Sequence, residues 1–152
     1  MSSKKRVRLS YPAKRPIDKK LVNIANSATA GAQDYTALFT ATSACTVTGL
    51  RWSFVIAETA TSFVKWAIIH VPDTRTASTI SHTDAGDMYR PEQQVLAFGQ
   101  GPTAYGHNVI EGTTKTMRKF RDGDELGFVF SNNAASSGTA TTHGTVQFFC
   151  ME

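Results

Sequence analysis

Apolar side chains alternate with polar ones along residues 46–57, and this period of two constrains the fold more than any other feature of the chain. Leu50, Trp52 and Phe54 fall on one face of the segment, whereas Arg51 points to the other. Successive side chains of a β-strand point to opposite faces, so the pattern is typical of a half-buried strand. The chain is also rich in Thr, Ser, Ala, Val and Phe, which favours an all-β protein.

Similar apolar segments recur along the chain. In one of them Ala67 and Ile69 make the second face apolar as well, which predicts a strand that is covered on both sides. The predicted strands are residues 21–26, 35–42, 46–57, 63–71, 95–98, 113–120, 125–130 and 146–150. Eight short strands separated by turns and long loops predict a two-sheet sandwich or a barrel.

The connections differ in kind. Asp122-Gly123 is a strong short-range signal for a hairpin between the sixth and seventh strands. Residues 72–92 and 131–144 are too long for turns, and loops of this length usually bind something or lie at an interface. We expect the second loop to be an exposed, flexible tip without charge.

The basic residues are concentrated at the N-terminus. Residues 1–20 hold eight of the sixteen Lys and Arg but one of the twelve acids, Asp18, so their net charge is +7. The other 132 residues hold eight basic and eleven acidic groups, a net charge of −3. We therefore divide the chain into a basic N-terminal arm, residues 1–20, and one folded domain, residues 21–152.

A cationic arm on a mildly acidic domain is suited to binding a polyanion. Pro12 and Pro16 argue against an amphipathic helix, so we expect an extended or disordered arm. If seven charges met a single strand of nucleic acid, log K would fall against log[salt] with a slope of about −5. The same residues fit a nuclear import signal. The predicted nucleic-acid-binding residues are Lys4, Lys5, Arg6, Arg8, Lys14, Arg15, Lys19 and Lys20.

Composition excludes several classes of protein. Cys45 and Cys150 lie in apolar surroundings, and we expect them to be buried, reduced and in an intracellular protein. The charged start is not followed by the apolar region of a secretory signal. No apolar run approaches the roughly 18 residues that a membrane span needs, so we expect a soluble protein without membrane insertion.

Catalytic and metal-binding patterns are missing from the sequence. The four histidines lack partners at metal-ligand spacing, and we expect His70 to be an ordinary packed side chain. The cluster of His82, Asp84, Asp87 and Glu92 matches no EF-hand loop. We therefore expect no catalytic residues, no metal and no cofactor, and a protein that is not an enzyme. A cupin-like barrel is the enzyme alternative, but its paired histidines are absent.

Several segments together resemble a known family. They are residues 45–52, 66–73, 91–99, 111–120, 123–126 and 144–150, and the most specific is Gly112-Thr113-Thr114-Lys115-Thr116-Met117-Arg118-Lys119. From about residue 20 to the end, the chain resembles the capsid proteins of small circular, Rep-encoding single-stranded DNA viruses, the CRESS-DNA group, which are circovirus-like and similar to satellite-virus coats.

This resemblance implies a fold and a function. Such capsid proteins are single jelly rolls, eight antiparallel strands in two four-stranded sheets, and about 60 copies close into a T=1 icosahedral shell. The implied partners are further copies of the chain and the packaged single-stranded DNA, together with a host import receptor and a cell-surface receptor. The implied locations are the virion and, during assembly, the host nucleus.

A second basic cluster lies in the predicted sixth strand. Period two places Lys115, Lys119 and Arg121 on one face of it, with Arg118 on the other. The cluster is a candidate for contact with nucleic acid or with a neighbouring subunit, and a solvated strand face is the alternative. For the whole chain, the alternative to a capsid protein is a non-viral jelly-roll oligomer, a trimeric ligand or chaperone-like module with a nuclear-targeting tail.

Overall fold

The computed structural model describes residues 17–29, 31–58, 63–75, 95–102, 108–132 and 138–151. Within these ranges the chain forms eight β-strands and no helix. They are β1 (Ile17–Thr29), β2 (Gln33–Thr40), β3 (Cys45–Glu58), β4 (Phe63–Val71), β5 (Val95–Pro102), β6 (Asn108–Phe120), β7 (Glu125–Asn132) and β8 (Thr139–Met151).

The strands form two antiparallel four-stranded sheets. The first sheet has the order β1-β8-β3-β6 and the second has the order β2-β7-β4-β5. Most strands that follow each other in the sequence therefore lie in opposite sheets, which is the double Greek-key arrangement of a jelly roll. The predicted all-β, eight-stranded jelly roll is confirmed.

The core lies between the two sheets and is dominated by phenylalanine. Phe54 packs edge-on against Trp66 and Phe128, with ring centroids 5.2 and 5.4 Å apart. Both sheets therefore contribute to one interlocking aromatic layer, in which alternate residues of each strand point inward. Its fully buried aromatic side chains are Phe54, Phe120, Phe128, Phe130 and Phe148.

Strand β4 is buried on both faces, as its sequence predicts. Ile68 points into the main core, while Ala67 and Ile69 belong to a second apolar cluster on the other face of the sheet. Both of these outward residues are 2 % exposed. The predicted burial of the cysteines is also confirmed, because Cys45 and Cys150 are buried and not joined in a disulfide.

The predicted hairpin around Asp122-Gly123 is wrong, although a tight turn is present. β6 pairs with β3, whereas β7 pairs with β2 and β4, so the turn crosses from one sheet to the other. Gly123 has a φ of 87°, which glycine adopts without strain. Its N–H donates to the carbonyl of Ala41, and the N–H of Ala41 donates to the carbonyl of Asp124. The turn is thus held by the end of β2 and not by a hairpin ladder.

The long polar loop predicted at residues 131–144 is also largely wrong. β7 continues to Asn132 and β8 begins at Thr139, so the connection is short. Residues 139–144 are polar, but β8 pairs with both β1 and β3, and this tertiary pairing satisfies the backbone along the whole strand. The buried Asn132 amide donates to the carbonyls of Ala28 and Gly138, which ties the connection to β1.

The first strand begins earlier than expected. β1 starts at Ile17, so residues 17–20 of the predicted arm belong to the first sheet and pair with β8. Several predictions lie outside the described residues. These are the arm positions Lys4, Lys5, Arg6, Arg8, Lys14 and Arg15, the loop cluster His82, Asp84, Asp87 and Glu92, and His107.

Candidate nucleic-acid interface

The basic cluster of β6 is divided between the two faces of the first sheet. Lys115 and Lys119 are exposed and point outward, with Met117 between them at 73 % exposure. Arg118 is half-buried and points inward, as strand alternation predicts. Arg121 is exposed but lies beyond the end of the strand. The predicted common face is therefore confirmed for the two lysines, while Arg121 belongs to the turn.

Strand pairing brings basic residues from two further strands to the same outward face. Across the sheet from β1 to β6, one row of opposed residues reads Lys19, Phe149, Gly49 and Lys115. The row on one side reads Ile17, Met151, Thr46 and Lys119, and the row on the other side reads Leu21, Gln147, Arg51 and Thr113. We call these three rows the cationic face.

The cationic face carries four positive charges and no negative one. Lys19, Arg51, Lys115 and Lys119 are all exposed, and the other eight positions of the three rows are uncharged. The nearest carboxylate along β6 is Glu111, whose Oε1 accepts a hydrogen bond of 3.0 Å from the Ser53 hydroxyl. With strands about 4.8 Å apart, a row spans about 14 Å between its end Cα atoms. This is a compact, positively charged surface.

The two lysines at the end of the predicted arm point in different directions. Lys19 belongs to the cationic face, whereas the ammonium of Lys20 lies 4.3 Å from the centroid of the Phe39 ring in the second sheet. A cation over an aromatic ring is attracted by the ring quadrupole. Of this predicted pair, Lys19 alone adds its charge to the cationic face.

Arg118 contacts a buried histidine of the opposite sheet. Its Nε donates to Nδ1 of His70 over 3.1 Å, and Nε2 of His70 lies 2.8 Å from Oδ2 of Asp124. Since Nδ1 accepts a hydrogen bond, the ring proton lies on Nε2 and is donated to the carboxylate. The Phe120 ring packs against the imidazole at 4.3 Å. His70 is thus a packed histidine, as predicted, and has no free nitrogen to act as a general base.

Asp124 organises the turn between the two sheets. Its carboxylate accepts hydrogen bonds from the backbone N–H groups of Arg121 and Asp73, in addition to His70. Burial alone would raise the pKa of Asp124, but these three donors outweigh it and hold the pKa below its usual value. For Arg118 burial has the larger effect and lowers the pKa of the guanidinium, because it disfavours the charged form, while the negative charge of Asp124 acts to raise it.

A cleft of about 740 Å³ opens at this end of the sandwich. His70, Arg118 and Asp124 lie in its wall beside Lys119 and Met151, which also belong to the cationic face. His70, Arg118 and Asp124 are bonded to one another, so this part of the wall has the chemistry of a structural junction. No three His, Cys, Asp or Glu side chains in the described parts of the chain form a group that could hold a metal ion.

Sequence reasoning missed two members of the cationic face. Alternation with the apolar residues of β3 indicates that Arg51 points outward. It does not indicate the neighbours of Arg51 on β6, because Thr113, which lies opposite, is 62 positions away in the sequence. Phe149 looks like a core residue in an apolar segment, yet it is half-buried on the outward face. Only the pairing of strands shows that these residues meet.

Comparisons with known proteins leave the chain without an assigned family. No family model and no curated protein matches it. Among solved structures, one similar structure is "Structure of infectious bursal disease virus Gx strain", with 11 % sequence identity and a TM-score of 0.39 over 87 % of this chain. The chain spans about a third of that protein's length, 32 %. In the described residues, no helix is long and apolar enough to cross a membrane. These comparisons do not show membership of the capsid family that the sequence resembles.

Proposed function

We propose that this protein is a viral coat protein that assembles into a closed T=1 shell of about 60 copies and packages circular single-stranded DNA through its basic N-terminal arm. The observation that carries this proposal is a jelly-roll domain with half of the chain's basic residues in residues 1–20, six of them before the first strand and two, Lys19 and Lys20, at its start. A rigid sandwich is suited to tiling a shell, and an arm of charge +7 supplies the counter-charge for a packaged polyanion.

The proposed role is structural and not catalytic. Both ring nitrogens of His70 are occupied, and Asp124 is saturated by backbone and imidazole donors, which supports this role. No cofactor is required. The basic arm would serve nuclear import before assembly and DNA binding afterwards, and the assembled virion would present its exposed loops to a cell-surface receptor.

Assembly is tested by expressing the full chain and examining it by size-exclusion chromatography and negative-stain microscopy. We expect closed particles of about 1 MDa, since about 60 copies of a 16.5 kDa chain have that mass. A stable monomer at high concentration and physiological salt would contradict the proposal. Small closed trimers would support the non-viral oligomer instead.

The role of the arm is tested with charge neutralisation in the full chain. Replacing Lys4, Lys5, Arg6, Arg8, Lys14 and Arg15 by Gln removes six of the positive charges of residues 1–20. We expect the particles to lose most of their nucleic acid, measured by the ratio of absorbance at the nucleic-acid and protein maxima. Particles with unchanged nucleic-acid content would refute the arm's role.

A further inference from the structure

The cationic face has the features of a second nucleic-acid site, separate from residues 1–16. We infer that this outward face of the first sheet binds single-stranded nucleic acid directly, with Lys19, Arg51, Lys115 and Lys119 contacting phosphates and the Phe149 ring stacking on a base. The inference deepens the proposed function and rests on it for the identity of the polyanion. Its evidence is independent of residues 1–16, because every residue involved belongs to a paired strand.

The charges are arranged to follow a strand of nucleic acid. Lys115 and Lys119 lie four residues apart on β6, a distance of about 13 Å along the strand. Arg51 on β3 and Lys19 on β1 extend the charged surface across the sheet. Among the described residues, no carboxylate lies within the three rows, and Glu111 in the next row is the one acid of β6, so the four cations are in excess on this face. A chain of phosphates satisfies such an arrangement and releases its own counterions on binding.

Phe149 supplies the second element of single-strand recognition. Its half-buried ring lies on β8, between Lys19 on β1 and Gly49 on β3. Gly49 has no side chain, and a Cβ added there would lie 3.5 Å from Phe149 Cδ2, so the ring lies beside the bare backbone of Gly49. An aromatic ring flanked by cations is the combination that non-specific single-strand binders use, since every base has a face that can stack.

A second copy of the chain is a poorer occupant of this face. A twofold axis through the cationic face would place lysines and arginines against one another, which is repulsive. Ile17, Leu21 and Met117 are between 59 and 73 % exposed at its border. These side chains provide apolar contact for sugars and bases around the charged centre. The cationic face therefore combines apolar and positively charged groups, and this combination fits a nucleic acid better than a second copy of the chain.

The test measures binding of the full chain to a fluorescent oligothymidine of about 20 nucleotides, long enough for several binding sites. Anisotropy titrations at several salt concentrations give the slope of log K against log[salt]. Replacing Lys19, Arg51, Lys115 and Lys119 together by Gln should make the slope shallower by about 3, which is 0.7 for each lost phosphate contact. The same slope as in the unmodified chain would overturn the inference.

Matched single variants separate the face from general charge and aromatic effects. Arg51→Gln should weaken binding, whereas Arg75→Gln, which removes the same exposed group after β4, should not. Phe149→Leu should weaken binding about fivefold or more through lost stacking, whereas Phe98→Leu, at a 61 % exposed phenylalanine of the second sheet, should not. Equal effects within either pair would count against the face.

Two further measurements keep the result interpretable. Ultraviolet cross-linking of the unmodified chain to the oligonucleotide, followed by mass spectrometry, should label β6 and β8 peptides, and the absence of label there would overturn the inference even if a variant misfolds. Particle formation by each variant is followed by size-exclusion chromatography. Face-dependent binding by a chain that never forms shells would retain the inference and refute the coat-protein proposal. If the variant with all four substitutions forms shells that package nucleic acid normally, and its salt slope is unchanged, the coat-protein proposal is retained and this inference is refuted.

Discussion

The outward faces of the two sheets differ in burial and in charge. On the second sheet, Ala67, Ile69 and Val129 form an apolar cluster that is at most 2 % exposed, and Tyr35 packs against it. On the first sheet, the outward face is exposed and carries four cations. A sandwich needs apolar residues only on its two inner faces. The second sheet therefore adds burial that stabilises the fold, while the first sheet leaves its outward face available for a partner.

Tyr35 illustrates how the second face is organised. Its hydroxyl donates to Oε2 of Glu125 over 2.8 Å, and its ring lies over Gly127. Burial, together with the hydrogen bond and the charge of Glu125, raises the pKa of Tyr35 above its usual value. The hydroxyl therefore stays protonated and acts as a donor. Within the described ranges, no hydrogen bond between two side chains spans the cationic face.

A carboxylate introduced on the outward face of the second sheet should destabilise the fold far more than one introduced on the outward face of the first sheet. This difference in stability is the largest effect we expect. Val129 on β7 is 0 % exposed, whereas Val109 on β6 is 62 % exposed. Val129→Asp buries an unpaired carboxylate and should lower the free energy of unfolding by about 3–5 kcal/mol. Val109→Asp should change it by about 0.5 kcal/mol or less. Urea unfolding followed by fluorescence measures both, and similar costs would mean that the second face is not a buried surface.

The junction between the sheets should show an intermediate effect that depends on pH. The folded-state pKa of Asp124 is depressed, so its contribution is present above the unfolded pKa of about 4 and is lost as pH falls through the lower folded value. Asp124→Asn should cost about 2–3 kcal/mol at neutral pH, because the hydrogen bonds to a charged acceptor are weakened.

Thermal or urea unfolding between neutral and acidic pH tests this prediction. The difference in stability between Asp124→Asn and the unmodified chain should shrink as the solution is acidified. Asp122→Asn, at the exposed acid of the same turn, is the matched control and should leave the stability nearly unchanged. A difference that stays constant down to strongly acidic pH would mean that the ionised carboxylate of Asp124 does not hold the turn.

Two glycines give a smaller, matched comparison of the faces. A Cβ at Gly127 would lie 2.2 Å from Cε2 of Tyr35, whereas a Cβ at Gly49 would lie 3.5 Å from Phe149 Cδ2, an ordinary contact. Gly127→Ala should displace the Tyr35 ring and cost about 1–2 kcal/mol. Gly49→Ala should be close to neutral for stability. Denaturant unfolding measures both, and a neutral Gly127→Ala would show that Tyr35 does not depend on this close approach.

Much of the architecture is readable from local pattern. Alternation along β3 and the doubly apolar sequence of β4 predict these strands and their burial, because the period of two is a property of the extended backbone itself. The turn at Gly123 is also readable, since Asp-Gly favours a tight turn. Its partners are not, because the choice between a hairpin and a crossing between sheets depends on strands far away in the sequence.

The candidate site was only partly predictable for the same reason. Lys115 and Lys119 share one face of one strand, so alternation alone brings them together. Arg51 and Phe149 join them through register between β3, β6 and β8, which no local pattern encodes. Alternation also places Arg118 on the opposite face of β6, but its partner across the sandwich, His70, follows only from the packing of the two sheets.

The sequence by itself therefore determined the fold class, the number of strands and the concentration of positive charge in residues 1–20, since these follow from periodicity, composition and counting. Tertiary structure alone decided which strands are neighbours, and thereby which side chains meet. Strand pairing joins residues that are distant in the chain, and it assembled Lys19, Arg51, Phe149 and Lys115 on one exposed surface. It also turned Asp124 from a turn residue into the point where the two sheets are joined.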